Sequence, residues 1–284
     1  MLKSKVDEVL QDVNKLPAIS SVVSKVLEKL QKPDVEIADL AQEISKDPAI
    51  TANVIKLSNS AYYRASKPIR TVQEALMTLG IKTVKEIVLL TAAKGILAQD
   101  LNSYQLEAAQ LWTSSLLVAE LSSKIVQHKK LKIDKDLAFT SGLLCSVGKI
   151  VLAQFFSPVM MQIKTDLKDN QEPFPTLEKK YFGYTHMEVS ENLLKRWNFP
   201  PELTDVVANY LTPETSKVNP LLTSVVHIAS ILIVVSGIGI DIGGESVPIS
   251  PFALSQTGVT DADIETYFVH IPDLQAGLAD LLNV

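Results

Sequence analysis

SVVSKVLEKLQKPDVEIADLAQEISKDP, residues 21–48, decides the fold class. Val22, Val23, Val26, Leu27 and Leu30 recur at helical spacing, and Ile37, Leu40, Ala41 and Ile44 repeat the stripe. Asp47 followed by Pro48 reads as an N-cap with proline at the first helical position, so a third helix starts there. Outward from this stretch the same signals continue. Thr71-Val-Gln-Glu74, Thr83-Val-Lys-Glu86 and Thr185-His-Met-Glu188 match the capping box, in which a hydroxyl and a carboxylate satisfy two free amides at a helix start. Ser250-Pro251 and Thr260-Asp-Ala-Asp263 mark further starts. Helical patterns also cover about 104–127, 134–155, 186–197, 201–211 and 221–236. Only residues 237–248, rich in glycine and β-branched side chains, look like a strand or an irregular loop. The expectation is an all-α chain, a multi-helix globule rather than a four-helix bundle.

The 284 residues are 46% hydrophobic and 21% charged, a globular balance that excludes disordered, collagen-like and disulfide-scaffold classes. The net charge of −5 lacks the basic footprint of general nucleic-acid binding, so no nucleic-acid partner is expected. The run His128-Lys-Lys-Leu-Lys132 is too short to alter that and reads as a solvated loop. A lone cysteine, Cys145, cannot form an internal disulfide, which points to the cytoplasm. The N-terminus has no apolar h-region and is not read as a signal peptide. Residues 221–240 hold 13 apolar residues in 20 but also His227, three serines, Thr223 and two glycines. A core helix is the expectation there, and no membrane partner. Polar breaks near 100–103 and 213–220, the second with two prolines, divide the chain into 1–102, 103–213 and 214–284.

Several apparent motifs dissolve on inspection. Gly142-Leu-Leu-Cys-Ser-Val-Gly148-Lys149-Ile150 has five residues between its glycines and Ile after the Lys, where a P-loop needs four and a hydroxyl. Gly237-Ile-Gly239 lacks the third glycine of a dinucleotide fingerprint. There is no G-x-S-x-G and no C-x-x-C. Cys145 lies in an apolar run with nothing basic beside it in sequence, which favours a structural thiol. No two of His128, His186, His227 and His270 stand at i, i+4. Asn59-Ser-Ala-Tyr62-Tyr63-Arg64 reads as a helix C-terminus with half-buried rings; Tyr62, Tyr63 and Arg64 are kept as a candidate partner surface. Trp112 and Trp197 sit on apolar faces and are expected in the core.

Read together, the short motifs resemble the HDOD family. The resemblance rests on Leu16-Pro17, Pro33-Asp34, Ile44-Ser-Lys-Asp47-Pro48 and Asn59-Ser-Ala-Tyr-Tyr63, then on Ile69, Val72, Ala75 and Leu79-Gly80. It continues through Leu111-Trp112, Ser115-Leu116, Gly142-Leu-Leu144, Gly148-Lys149, Gly183-Tyr-Thr-His186, Leu193-Leu194 and Trp197, in order, over about residues 14–211. The family is related to HD-type metal-dependent phosphohydrolases, in which His and Asp ligands hold a cation that activates water and neutralises phosphate charge. By this resemblance Ser114 stands where the first His would be, Cys145 and Ser146 replace the His-Asp pair, and Ser230 falls near a late Asp. His186 alone remains among the compared positions, with Lys149 on the motif's flank.

The resemblance therefore implies an HD-like helical lobe without its metal chemistry. The expectation is no enzyme activity, no cofactor and no metal. The expected role is regulatory or scaffolding, in bacterial signal transduction, through recognition of a signalling protein. The alternative is a nucleotide-type ligand module with a retained pocket of Ser114, Cys145, Ser146, Lys149 and His186, so a small molecule is the second class of partner considered. The sequence identifies neither the partner nor the oligomeric state.

Overall fold

The computed structural model describes residues 2–12, 17, 20–30, 35–63, 67–99, 101–107, 109–156, 159–170, 173–243 and 247–282. Its helices are α1 (Leu2–Gln11), α2 (Ser21–Leu30), α3 (Ile37–Ile44), α4 (Pro48–Ser58), α5 (Val72–Leu97), α6 (Gln110–His128), α7 (Lys135–Leu144), α8 (Lys149–Phe156) and α9 (Met160–Asn170). They continue with α10 (Phe174–Phe182), α11 (His186–Arg196), α12 (Pro201–Asn209), α13 (Pro220–Val235), α14 (Pro251–Thr257), α15 (Asp261–Val269), α16 (Ile271–Gly277) and α17 (Ala279–Leu282). The described residues contain no strand, only an isolated bridge between Leu101 and Leu106. Residues 237–243 form turns and loop rather than strand. The protein is an all-α, multi-helix fold, as its periodicity predicts.

The chain divides into two compact units, Met1–Pro17 with Ile96–Leu274, and Ala18–Gly95 with Gln275–Val284. In the smaller unit α2 packs on α3. Asp47 caps α4 as its position before Pro48 predicts, with Oδ1 accepting from the amides of Ala49 (3.0 Å) and Ile50 (3.1 Å). Asn59 ends α4, and its amide clamps the Ile69 backbone, donating to Ile69 O (2.7 Å) and accepting from Ile69 N–H (2.8 Å). Helix α5 breaks at Gly80, where φ is 84° and ψ is 162°, a conformation open to glycine. The Thr83–Glu86 box lies inside the helix that follows this break, not at a helix start.

The larger unit is built around α13. This helix is apolar on every side, and residues 222–233 are all buried; that pattern places a helix in a core. It packs against α6, α7, α12 and α14. Burying each of Val225, Val226, Ile228 and Leu232 contributes about 1.5–3 kcal/mol. At 16 residues it is shorter than the roughly 20 a membrane span requires. Among the described residues one segment, Lys135–Phe155, is long and apolar enough by composition to cross a membrane, and 67% of its most apolar window is buried inside the protein. Two glycines explain how tightly it sits. A Cβ at Gly142 would fall 2.9 Å from Ala119 Cα, and one at Gly148 would fall 2.1 Å from His186 O. The pair that mimics a phosphate loop serves close helix approach. Asp205 organises the 213–220 turn, accepting from Ser216 Oγ (2.5 Å) and from the amides of Lys217, Val218 and Asn219. Burial works against its charge, but these donors outweigh it and hold the carboxyl below its ordinary value.

Candidate functional site

The turn between α7 and α8, residues 145–148, is the base of the site. It is pinned to α11 by Ser190, whose hydroxyl donates to Cys145 O (3.0 Å) and accepts from Gly148 N–H (2.8 Å). Pinning brings Cys145, Ser146 and Lys149 against the start of α11. That start is fixed by Thr185, whose hydroxyl accepts from Glu188 N–H (3.1 Å) while Glu188 accepts from Thr185 N–H (2.8 Å). The capping box sets the first residue of α11, and so directs His186 into the interior, where it is 2% exposed.

These residues line one cavity of about 90 Å³ in the larger unit, with Ser114 and Ser115 from α6, Tyr210 after α12, Ser230 from α13 and Asp241. The volume corresponds to about six waters. All five pocket residues considered from the sequence, Ser114, Cys145, Ser146, Lys149 and His186, reach it, and so does Ser230. The candidate partner residues lie elsewhere, in the smaller unit. Tyr62 and Tyr63 are half-buried and meet edge to face at 4.8 Å, and Tyr63 Oη donates to Glu86 Oε1 (2.9 Å). Arg64 lies outside the described residues.

A connected polar network crosses the cavity wall. Glu178 on α10 is fully buried and accepts from Tyr104 Oη (2.9 Å), His186 N–H (2.9 Å) and His186 Nδ1 (2.7 Å). Nδ1–H donates to the carboxylate, and Nε2 then accepts from the Tyr210 hydroxyl at 2.7 Å. Tyr210 Oη in turn contacts Ser146 Oγ at 3.3 Å. Burial, then neighbouring negative charge, pushes the Tyr104 and Tyr210 phenols well above their ordinary range, so both stay protonated. Lys149 Nζ pairs with Asp241 Oδ2 at 2.5 Å. Burial disfavours this ammonium, but Asp241 outweighs that penalty and holds it above its ordinary value.

Tyr104, Glu178, Tyr210 and Asp241 escaped the reading of the sequence, in which Ser115 figures only as part of a family motif, not as a pocket residue. Glu178 stands beside Lys179 and Lys180 and looks like part of a solvated face. Asp241 had one local signal, a single acid in Ile240-Asp241-Ile242 among glycines. His227, also singled out, belongs to the frame. Its Nδ1 donates to Tyr210 O and its Nε2 accepts from Ser250 N–H, each at 2.8 Å. Burial holds its imidazole below the ordinary value.

The relation to HD phosphohydrolases raises the question of a divalent metal, and the residues present do not fit one. The described residues hold no group of three or more His, Cys, Asp or Glu that could bind it. The Nε2 lone pair of His186 is occupied by Tyr210. Burial pushes the Cys145 thiol up to about 11, so it stays a thiol, donating to Gly142 O at 3.2 Å. Ser114 and Ser146 are neutral hydroxyls, and Lys149 puts a fixed cation in the same cavity. Metal sites need several ionised or imidazole ligands.

Comparison with known proteins agrees with this architecture. Among solved structures, an HDOD domain protein with unknown function from Geobacter sulfurreducens is 23% identical, over 99% of this chain and 98% of that one, with a TM-score of 0.75. A Shewanella amazonensis protein provisionally named a phosphohydrolase is 20% identical, covers 97% of each chain and has a TM-score of 0.74. A Marinobacter aquaeolei protein provisionally named a signal transduction protein is 16% identical, with 99% of this chain and 64% of that one covered and a TM-score of 0.77. At these identities the likeness speaks to the fold. A Treponema pallidum relative is 22% identical over 218 residues, and the match spans 41% of its length. The sequence pattern of the HDOD domain matches residues 16–213. The chain belongs to the HDOD domain family.

Proposed function

We propose that this chain is a non-catalytic regulatory or scaffold protein of bacterial signal transduction, cytoplasmic, acting by recognition of a signalling protein. The observation that carries the reading is the state of His186. It is the one HD-type ligand retained by resemblance, and both its ring nitrogens are committed to protein partners, Glu178 and Tyr210. Ser114, Cys145 and Ser146 supply no ligand set to replace the missing ones. The network instead does what a buried and satisfied polar cluster does: it fixes the relative placement of α8, α10, α11 and α12. Family membership, and the name borne by the Marinobacter neighbour, fit a role in signalling.

The test is elemental analysis of the full chain, purified without chelator and challenged with Mn²⁺, Fe²⁺ and Zn²⁺, together with a phosphodiesterase assay on bis(p-nitrophenyl) phosphate. The expected result is sub-stoichiometric metal and no turnover. A stoichiometric metal, with turnover lost in His186→Ala, overturns the proposal.

A second reading is a nucleotide-type ligand module. Four hydroxyls, Ser114, Ser115, Ser146 and Ser230, line one cavity with Lys149 and His186. Thermal stabilisation by cyclic or linear nucleotides tests it, since a ligand at 100 times its Kd adds about 2.7 kcal/mol.

A further inference from the structure

The cavity contains its own anion. Asp241 and Lys149 pair there with side chains only 10% and 13% exposed. Lys149 begins α8, on the pinned turn. Asp241 belongs to a different kind of segment, residues 237–243, with Gly237 at φ 87° and Gly239 at φ 65°. That segment lies directly on the cavity wall. A Cβ at Gly239 would fall 2.6 Å from Ser114 Cβ, and one at Gly243 would fall 2.7 Å from the Phe174 ring. Ile242 N–H donates to Tyr104 O at 2.8 Å, and Asp241 Oδ1 accepts from Gly243 N–H at 2.8 Å.

A second observation concerns the same cavity wall. Ser115 lines the cavity, is 2% exposed, and its hydroxyl has no hydrogen-bond partner among the described residues. Buried hydroxyls are usually bonded, so one left unbonded in the wall of this cavity has capacity for a further polar group.

We propose that Asp241 is a resident stand-in for a small oxyanion, and that a carboxylate- or phosphate-bearing small molecule displaces it from Lys149, bonds to Ser115 and frees residues 237–243. The proposal rests on the ligand-pocket reading above. The exchange swaps one ion pair for another, so Lys149 is never left buried and uncompensated. The incoming anion gains the Ser115 hydroxyl, and the protein gives up the Ile242 hydrogen bond. A carboxylate is the shape Lys149 already accepts, and the cavity limits the bound portion to a few heavy atoms. Release also rearranges the surface beside Val235 and Ile240, which are 42% and 40% exposed, and so couples ligand to any partner that uses that surface.

The experiment uses the full chain, as wild type, Asp241→Asn and the Lys149→Met/Asp241→Asn double variant. Each is titrated with sodium acetate and with sodium phosphate against sodium chloride at matched ionic strength. Thermal stability and amide exchange at Ile242 are read. The expected result is half-saturation in Asp241→Asn at a concentration lower by about tenfold or more, because its lysine lacks a counter-ion. In wild type the effective anion accelerates Ile242 exchange, and the double variant responds to neither salt. Acetate acting alone identifies a carboxylate ligand, and phosphate acting alone identifies a phosphate. Equal responses in wild type and Asp241→Asn overturn the proposal. If Asp241→Asn does not fold, wild-type Ile242 exchange decides, and no change with either anion overturns it. Nucleotide stabilisation without any Ile242 change overturns displacement while leaving the pocket reading intact; no response to nucleotide or anion removes both.

Discussion

Replacing Glu178 by alanine tests whether the buried network is a structural unit. The carboxylate is wholly inaccessible and receives three donors, Tyr104 Oη, His186 N–H and His186 Nδ1. Truncation takes the carboxylate acceptor away from all three, at about 1–3 kcal/mol for each buried donor. Two effects reduce that sum. Desolvating a carboxylate is itself costly, so its removal returns part of the energy. The adjoining cavity can also pass water to the orphaned groups. The net expectation is a loss of about 3–5 kcal/mol, the range for breaking a buried pair from one side. Glu178→Gln behaves differently. Its amide oxygen can keep both His186 donors, and the Tyr104 hydroxyl can turn to accept from the amide nitrogen. It loses charge but no bond, at about 1–2 kcal/mol, the difference between charged and neutral hydrogen bonds. Urea denaturation of the full chain, followed by far-UV circular dichroism and the fluorescence of Trp112 and Trp197, gives both values. An alanine variant within about 1 kcal/mol of wild type, or a glutamine variant as costly as alanine, refutes the reasoning.

Two further outcomes are expected. Gly148→Ala should cost about 3 kcal/mol or more and exceed Gly142→Ala in thermal scans, because its Cβ meets backbone of α11 at 2.1 Å rather than backbone of α6 at 2.9 Å; the reverse order contradicts the packing account. Stability should fall as pH drops below about 6.5, where unfolded chains take up protons that buried His227, with its lowered folded pKa, resists. The loss begins at the unfolded pKa and grows until the folded value is reached, and His227→Asn should flatten the urea midpoint between about pH 7.5 and pH 5.5.

Much of the architecture is local and was therefore legible in the residues. Asp47 before Pro48, the Thr185 capping box and the predominantly apolar α13 each act within one helix turn or along one helix, so spacing alone reveals them. The composition of the pocket was partly legible through family motifs, which carry Ser114, Cys145, Ser146, Lys149 and His186 in order along the chain. Its closure was not. Tyr104 meets Glu178 across 74 residues, Ser146 meets Tyr210 across 64, and Lys149 meets Asp241 across 92. No local period encodes such pairs. In its own segment Glu178 is one more charge on an amphipathic helix, and Asp241 is one acid in a glycine-rich turn. Burial gives each its meaning, because a carboxylate removed from water must find donors or a cation. The sequence by itself determined an all-α chain of the HDOD type. The tertiary structure decided that the pocket is wired through Glu178, His186 and Tyr210 and lined by the Asp241–Lys149 pair, since only packing brings those polar groups out of water and onto their partners.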